Sequence, residues 1–362
     1  MDAALRKAGP GLMYRQSRNN TTGRSRLACA NPVRLRMLAL AIPLLLALLL
    51  TSCTSNNTAP PIYSGGASGS NEVERRAQPA SSYSHTFAII YPMQHSLYEM
   101  ITRKAEETAK RLGVRLIVGA PDEANLEQQI RMMENLIKQG VDGIAIDPVD
   151  PVTLTPVINK AVKAGIKVIC FESDAPESQR LAYIGSDNIL SGRMMGEYMD
   201  KLLKGKGMVL VETGMSEMLS MRQRLEGMLN YLNEETRIQV LDVQYNEGRD
   251  QKALSDMELM IDDHPHFDGL ATLDIISSSN AILIWKAKGL SRSALTFGMT
   301  PEIQQALHNG QVTAAVSQNE YEWGHRIVEL LLSAQSEPIE SFHDTGTIIY
   351  EKGSAAEALL LE

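Results

Sequence analysis

The chain has 362 residues, 44% of them apolar, and its 35 Lys/Arg against 43 Asp/Glu give a formal net charge of −8. An acidic surface repels phosphate backbones, which argues against nucleic-acid binding. Three cysteines are too few for a disulfide framework.

The first distinctive segment is residues 37–50, MLALAIPLLLALLL, fourteen residues without a charge. It is too short to span a bilayer and has the length of a signal-peptide core, with Arg34 and Arg36 as its basic flank. Directly after it, Leu50-Thr51-Ser52-Cys53 follows the lipobox pattern of bacterial lipoproteins. The expectation is a signal peptide over 1–52, lipidation of Cys53, and a domain held extracytoplasmically at the membrane of the cell envelope. Residues 1–52 carry eight Lys/Arg and one acid, so without them 27 basic residues face 42 acidic ones, a net charge of −15. Residues 53–84, rich in Ser, Asn, Gly, Pro and Ala, read as a flexible tether. Cys170 falls in an apolar run and reads as a small core residue.

From residue 86 onward, apolar runs and amphipathic stretches alternate. A strand over 86–91 leads to a helix marked by Leu97, Ile101, Ala105, Ala109 and Leu112, which stops at Gly113. Strands follow at 115–118, 141–147 and 167–171, separated by helices at 126–138 and 152–163. After a short apolar run at 181–184 the rhythm restarts. Helices are expected at 189–203, 221–232, 250–261, 277–288 and 301–308, and strands at 208–212, 238–244, 269–273, 294–297 and 312–318. A last helix runs from Asn319-Glu320 through Leu332. Such alternation calls for parallel, doubly wound sheets. Because the two halves repeat one order of elements, the expected fold is α/β, two doubly wound parallel-sheet lobes with a cleft between them.

In open α/β sheets, ligands sit outside the carboxyl ends of the strands. The run KVICF at 167–171 ends in Glu172-Ser173-Asp174, which is where a binding residue belongs. Asp187 or Asn188 then offers an N-cap for the next helix. Enzyme motifs are missing: there is no GxGxxG, Walker loop, HExxH, CxxC or GxSxG. His264 and His266 in HPH read as a surface loop. The expectation is a protein that is not an enzyme and uses no cofactor or metal.

KVICFESDAP at 167–176 followed by YIGSDN at 183–188 resembles the sugar-binding proteins of the ribose/galactose type, the type I periplasmic binding proteins. The resemblance runs from about Ser84 onward and implies a three-crossover hinge. The crossings would lie near 186–188, 318–320 and 341–347. Lobe 1 would comprise 85–186 plus 319–343, and lobe 2 would comprise 187–318 plus 344–362. Carried over position by position, the resemblance implies a ligand site of His95, Tyr98, Glu172, Ser173, Arg224, Asp274 and Gln318. His95 replaces the family's Asn, and Tyr98 is the one aromatic kept in that loop. Two family positions fail, an aromatic that falls near Gly248 and an acid that falls on Gly298. From the residues alone, Arg224 as an exposed helical arginine, Gln318 as a strand cap and Tyr98 as a core ring stay open. Truncation of Arg224 is expected to cost ligand affinity and spare the fold.

The resemblance implies a monomeric, lipid-anchored receptor that delivers a small-molecule ligand, a sugar or similar small polyol, to the permease of an ABC importer. The alternative is a ligand sensor that docks on a membrane histidine kinase or chemoreceptor. A repressor-type regulator would need a helix-turn-helix and a basic face, which this sequence replaces with an apolar leader and an acidic body.

Overall fold

The computed structural model describes residues 83–353. The leader, Cys53 and nearly all of the tether lie outside the described residues, as do residues 354–362.

The alternating apolar runs become strands β1 (Thr86–Ile90), β2 (Arg115–Gly119), β3 (Gly143–Ile146), β4 (Lys167–Phe171), β5 (Ala182–Gly185), β6 (Lys206–Thr213), β7 (Arg237–Tyr245), β8 (Gly269–Thr272), β9 (Ser293–Phe297) and β10 (Ala314–Ser317). Two short strands, β11 (Phe342–Asp344) and β12 (Ile348–Glu351), follow near the end of the described chain. They form two six-stranded sheets, ordered β11-β5-β4-β3-β1-β2 and β12-β10-β9-β8-β6-β7. The first is parallel throughout. The second is parallel except for β12, which lies antiparallel to β10 at the edge. The expected doubly wound parallel sheets are present, with β12 as an antiparallel addition at one edge. A short turn delivers β12 to the second sheet, with no helical crossover to reverse its direction.

Nine helices among the described residues connect the strands: α1 (Ser96–Leu112), α2 (Leu126–Gln139), α3 (Pro151–Lys163), α4 (Asn188–Leu203), α5 (Leu219–Glu235), α6 (Asp250–Asp263), α7 (Ile275–Lys288), α8 (Pro301–Asn309) and α9 (Trp323–Ser333). Several open with a side-chain cap directly beyond a strand. Asp187 accepts from Leu190 N, Asp274 from Ile276 N, and Thr300 from Ile303 N. Each cap satisfies an orphan amide and fixes where the loop at the strand's carboxyl end turns.

The chain passes from one sheet to the other between β5 and α4, between β10 and α9, and between β11 and β12. Hydrogen bonds lace these passages together. Ser186 Oγ donates to Gly346 O at 2.6 Å, and Asn319 Nδ2 donates to Thr345 O at 2.6 Å.

Helices α4 and α5 cross closely enough that two glycines are required. A Cβ on Gly192 would stand 1.9 Å from the carbonyl oxygen of Arg224, and one on Gly227 would stand 2.0 Å from that of Ile189. This contact sets the height of Arg224 above the second sheet. Gly192→Ala is expected to lower stability by about 1–3 kcal/mol, read as an earlier urea midpoint. An unchanged midpoint would contradict the packing described.

Candidate functional site

The loops at the carboxyl ends of both sheets face one another across a small cavity of about 30 Å³. Among its walls are residues that follow β1 (Met93), β4 (Glu172), β6 (Met215), β7 (Asn246), β8 (Asp274) and β10 (Gln318). Five of the seven expected residues line it: Tyr98, Glu172, Arg224, Asp274 and Gln318.

Glu172 and Arg224 meet here from opposite lobes. Glu172 is the first residue beyond β4 and holds φ of 58°, a left-handed conformation that non-glycine residues rarely adopt. That turn aims its carboxylate across the cleft. Arg224 Nη2 donates to Glu172 Oε1 at 3.1 Å, and Ser220 Oγ donates to Glu172 Oε2 at 2.9 Å. Arg224 is fully buried. It also donates from Nη2 to Asn188 Oδ1 at 2.7 Å and from Nη1 to Leu273 O, and its guanidinium lies 3.6 Å from the centre of the Phe297 ring. The exposed-arginine alternative is thereby excluded. The buried ion pair is tolerated because each group is hydrogen-bonded beyond its partner.

Asp274 caps α7 and is saturated by its own surroundings. It accepts from Asn246 Nδ2 at 3.1 Å, from Ile276 N at 2.9 Å, and from Ser277 Oγ. Burial nevertheless raises its pKa above the ordinary carboxylate value, with these hydrogen bonds opposing. Gln318 follows β10, and its backbone N–H donates to Glu320 Oε2 at 2.8 Å. Its side-chain Oε1 is buried with no partner among the described residues. Tyr98 is both wall and core ring. Its ring centre lies 4.7 Å from that of Tyr91, and its hydroxyl donates to Asp147 Oδ2 at 3.1 Å.

Two expected residues stand elsewhere. His95 is the N-cap of α1, its Nδ1 accepting from Leu97 N at 3.2 Å, and it lines a neighbouring open groove with Asp122, Asp250 and Lys252. Burial lowers its pKa, so it stays neutral as that acceptor role requires. Ser173 is buried, and its Oγ accepts from Ser220 N at 3.2 Å. It ties the lobes together beside the space and contributes no wall to it.

Sequence reasoning missed Asp147, fully buried one residue beyond β3. Burial, then the nearby Glu172 carboxylate, pushes its pKa well up, and its Oδ1 has no partner among the described residues. The rule that singles out Glu172, an acid at a strand's carboxyl end, points equally to Asp147. Asn246, Glu320, Trp323 and the methionines 93, 215 and 221 were also missed. Among the described residues, no group of three or more His, Cys, Asp or Glu side chains is arranged to hold a metal ion.

The sequence matches the family described as periplasmic binding protein domain over residues 87–337. A D-ribose/D-allose-binding protein of Pseudomonas aeruginosa is 27% identical over 208 residues, which cover 55% of this chain and 65% of that protein. The ribose import binding protein RbsB of Bacillus subtilis is 22% identical over 281 residues, 77% of this chain and 87% of that one. Among solved structures, an ABC transporter solute binding protein from Burkholderia graminis in complex with D-arabinose is 25% identical. It aligns with a TM-score of 0.71 over 74% of this chain and 96% of its own.

Proposed function

The chain belongs to the periplasmic binding protein family, and from that premise we propose that it is an extracytoplasmic receptor for a sugar or similar small polyol, serving an ABC importer. The observation that carries this reading is the Glu172–Arg224 pair, which joins the two lobes at the wall of one shared space. A ligand held there touches both lobes and favours their closed arrangement by its differential affinity for it. The resulting joint surface is what a permease can recognise. Import is favoured over docking on a sensor kinase because similar proteins, such as that of Bacillus subtilis, are import binding proteins. A thermal-shift screen of the purified protein against sugars, polyols and nucleosides tests the reading. A ligand present at about 100 times its dissociation constant adds about 2.7 kcal/mol of stability. No shift with any compound at millimolar concentration would contradict it.

The lipobox supports a finer proposal, that the receptor is a monomer anchored to the membrane through acylated Cys53. Cys53→Ala is expected to move the protein from the membrane fraction to the soluble one. Retention of the variant in the membrane fraction would contradict lipidation.

A further inference from the structure

We infer that the first lobe caps helix α5 of the second lobe across the cleft, so that closure also orders the helix that carries Arg224. A helix leaves its first N–H groups without intrahelical partners, and a side chain at the N-cap normally satisfies one of them. Among the described residues, six of nine helices do this with their own N-cap residue: His95, Asn125, Asp150, Asp187, Asp274 and Thr300. Helix α5 does not. Its N-cap position is Met218, which makes no side-chain cap. The acceptor comes instead from the other lobe, where Ser173 Oγ takes the N–H of Ser220 at 3.2 Å.

Ser220 is the second residue of α5, and it reciprocates. Its hydroxyl donates back to Glu172 Oε2 at 2.9 Å. Two consecutive residues of the first lobe thus hold the backbone and the side chain of one residue of the second. The left-handed backbone at Glu172, φ of 58°, turns the chain so that both face the same partner. Ser173 and Ser220 are fully buried, so water does not replace either bond in this arrangement. The Glu172 carboxylate also meets the positive end of the helix, where negative charge is favoured.

The sequence shows why α5 lacks a cap of its own. Met218 is fully buried in an apolar cluster built mainly from first-lobe residues such as Val149, Ala175 and Tyr183. The N-cap position is used for apolar contact with the other lobe, and a polar residue there would lose it. Arg224 stands four residues beyond Ser220, about one turn further along α5. The lobe that receives the guanidinium therefore supplies the cap of the helix that carries it. Parting the lobes removes the acceptor for Ser220 N–H and the carboxylate together. Ser173 and Ser220 are positioning residues for closure, and neither lines the cavity. The device goes beyond the sugar-receptor reading and needs no ligand for its test.

Hydrogen exchange on the whole protein, with no sugar added, tests it. The Ser220 amide should exchange about fivefold faster in Ser173→Ala, the usual effect of a lost N-cap. Ser173→Cys, close to isosteric but only a weak acceptor, should do the same. Amides of β4 and β5, in the lobe of Ser173 itself, should keep their wild-type rates. Arg224→Met should also speed the Ser220 amide. Adding Ser173→Ala to it should then change that rate by less than about twofold, because parted lobes have no cap left to lose. Three results would overturn the inference and leave the sugar-receptor reading standing. They are an unchanged Ser220 amide in both Ser173 variants, an equal acceleration throughout β4 and β5, and an undiminished effect of Ser173→Ala in the Arg224→Met background.

Discussion

Replacing Arg224 by Met is expected to open the cleft and to leave each lobe folded. The guanidinium supplies the cation for Glu172, whose side chain is only 7% exposed, while Arg224 itself is 0% exposed. Removing one partner of a buried pair costs about 3–5 kcal/mol, because the other charge stays buried and unpaired. Here the partners sit on different lobes, so parting the lobes relieves that cost by returning Glu172 to water. The penalty therefore falls on the closed arrangement, and about 3–5 kcal/mol shifts a two-state balance by more than about 100-fold. Met keeps apolar contact with Phe297, which protects the packing inside the second lobe. Small-angle scattering of the ligand-free variant should show a larger radius of gyration than wild type. Circular dichroism should show undiminished helix. An unchanged radius would contradict the pair's role in holding the lobes together. Its bonds to Asn188 and Leu273 lie within the second lobe and hold the guanidinium where it meets Glu172.

Stability is expected to fall as pH rises from about 4.5 to about 9, with Glu212 as one source. Glu212 lies on β6, fully buried, and neither carboxyl oxygen has a partner among the described residues. Burial, with Asp274 and Asp256 adding to it and Lys252 opposing, pushes its pKa up to about 9. At pH below the unfolded value, near 4.5, both states carry the proton and folding loses nothing. Above it the unfolded chain releases the proton while the native state keeps it. Each pH unit in that window then removes up to about 1.4 kcal/mol, until the native group also ionises near pH 9. The raised pKa values of Asp147 and Asp274 act in the same direction. Glu212→Gln mimics the protonated form at every pH, so it should raise stability by several kcal/mol on this scale at pH 8 and flatten the profile. Urea unfolding at pH 5, 7 and 9 measures both effects. Equal slopes for variant and wild type would contradict the assignment.

The central strands were legible because strands buried on both faces read as unbroken apolar runs, as in GIAI of β3 and KVICF of β4. Helix starts were legible where a cap residue follows a strand, as at Asp187. β11 and β12 were not, because edge strands of three and four residues with half-exposed side chains carry neither run nor alternation. In the cleft, the family register placed Glu172 and Arg224 correctly on the facing walls, but their bond depends on how two lobes meet, which no local pattern encodes. The capping role of His95 was not legible, because the register sets a residue's position along the chain and not its direction. Its ring turned back to cap α1. The methionine wall was invisible for a simpler reason: an apolar loop residue looks the same whether it faces a core or a cavity.

Hydrogen exchange with and without the tightest-binding sugar most directly tests whether one ligand sits between the two lobes. At saturation, amide exchange should slow together in segments 93–98 and 172–174 of the first lobe and in 214–224 and 274–276 of the second. Protection confined to one lobe would contradict the account.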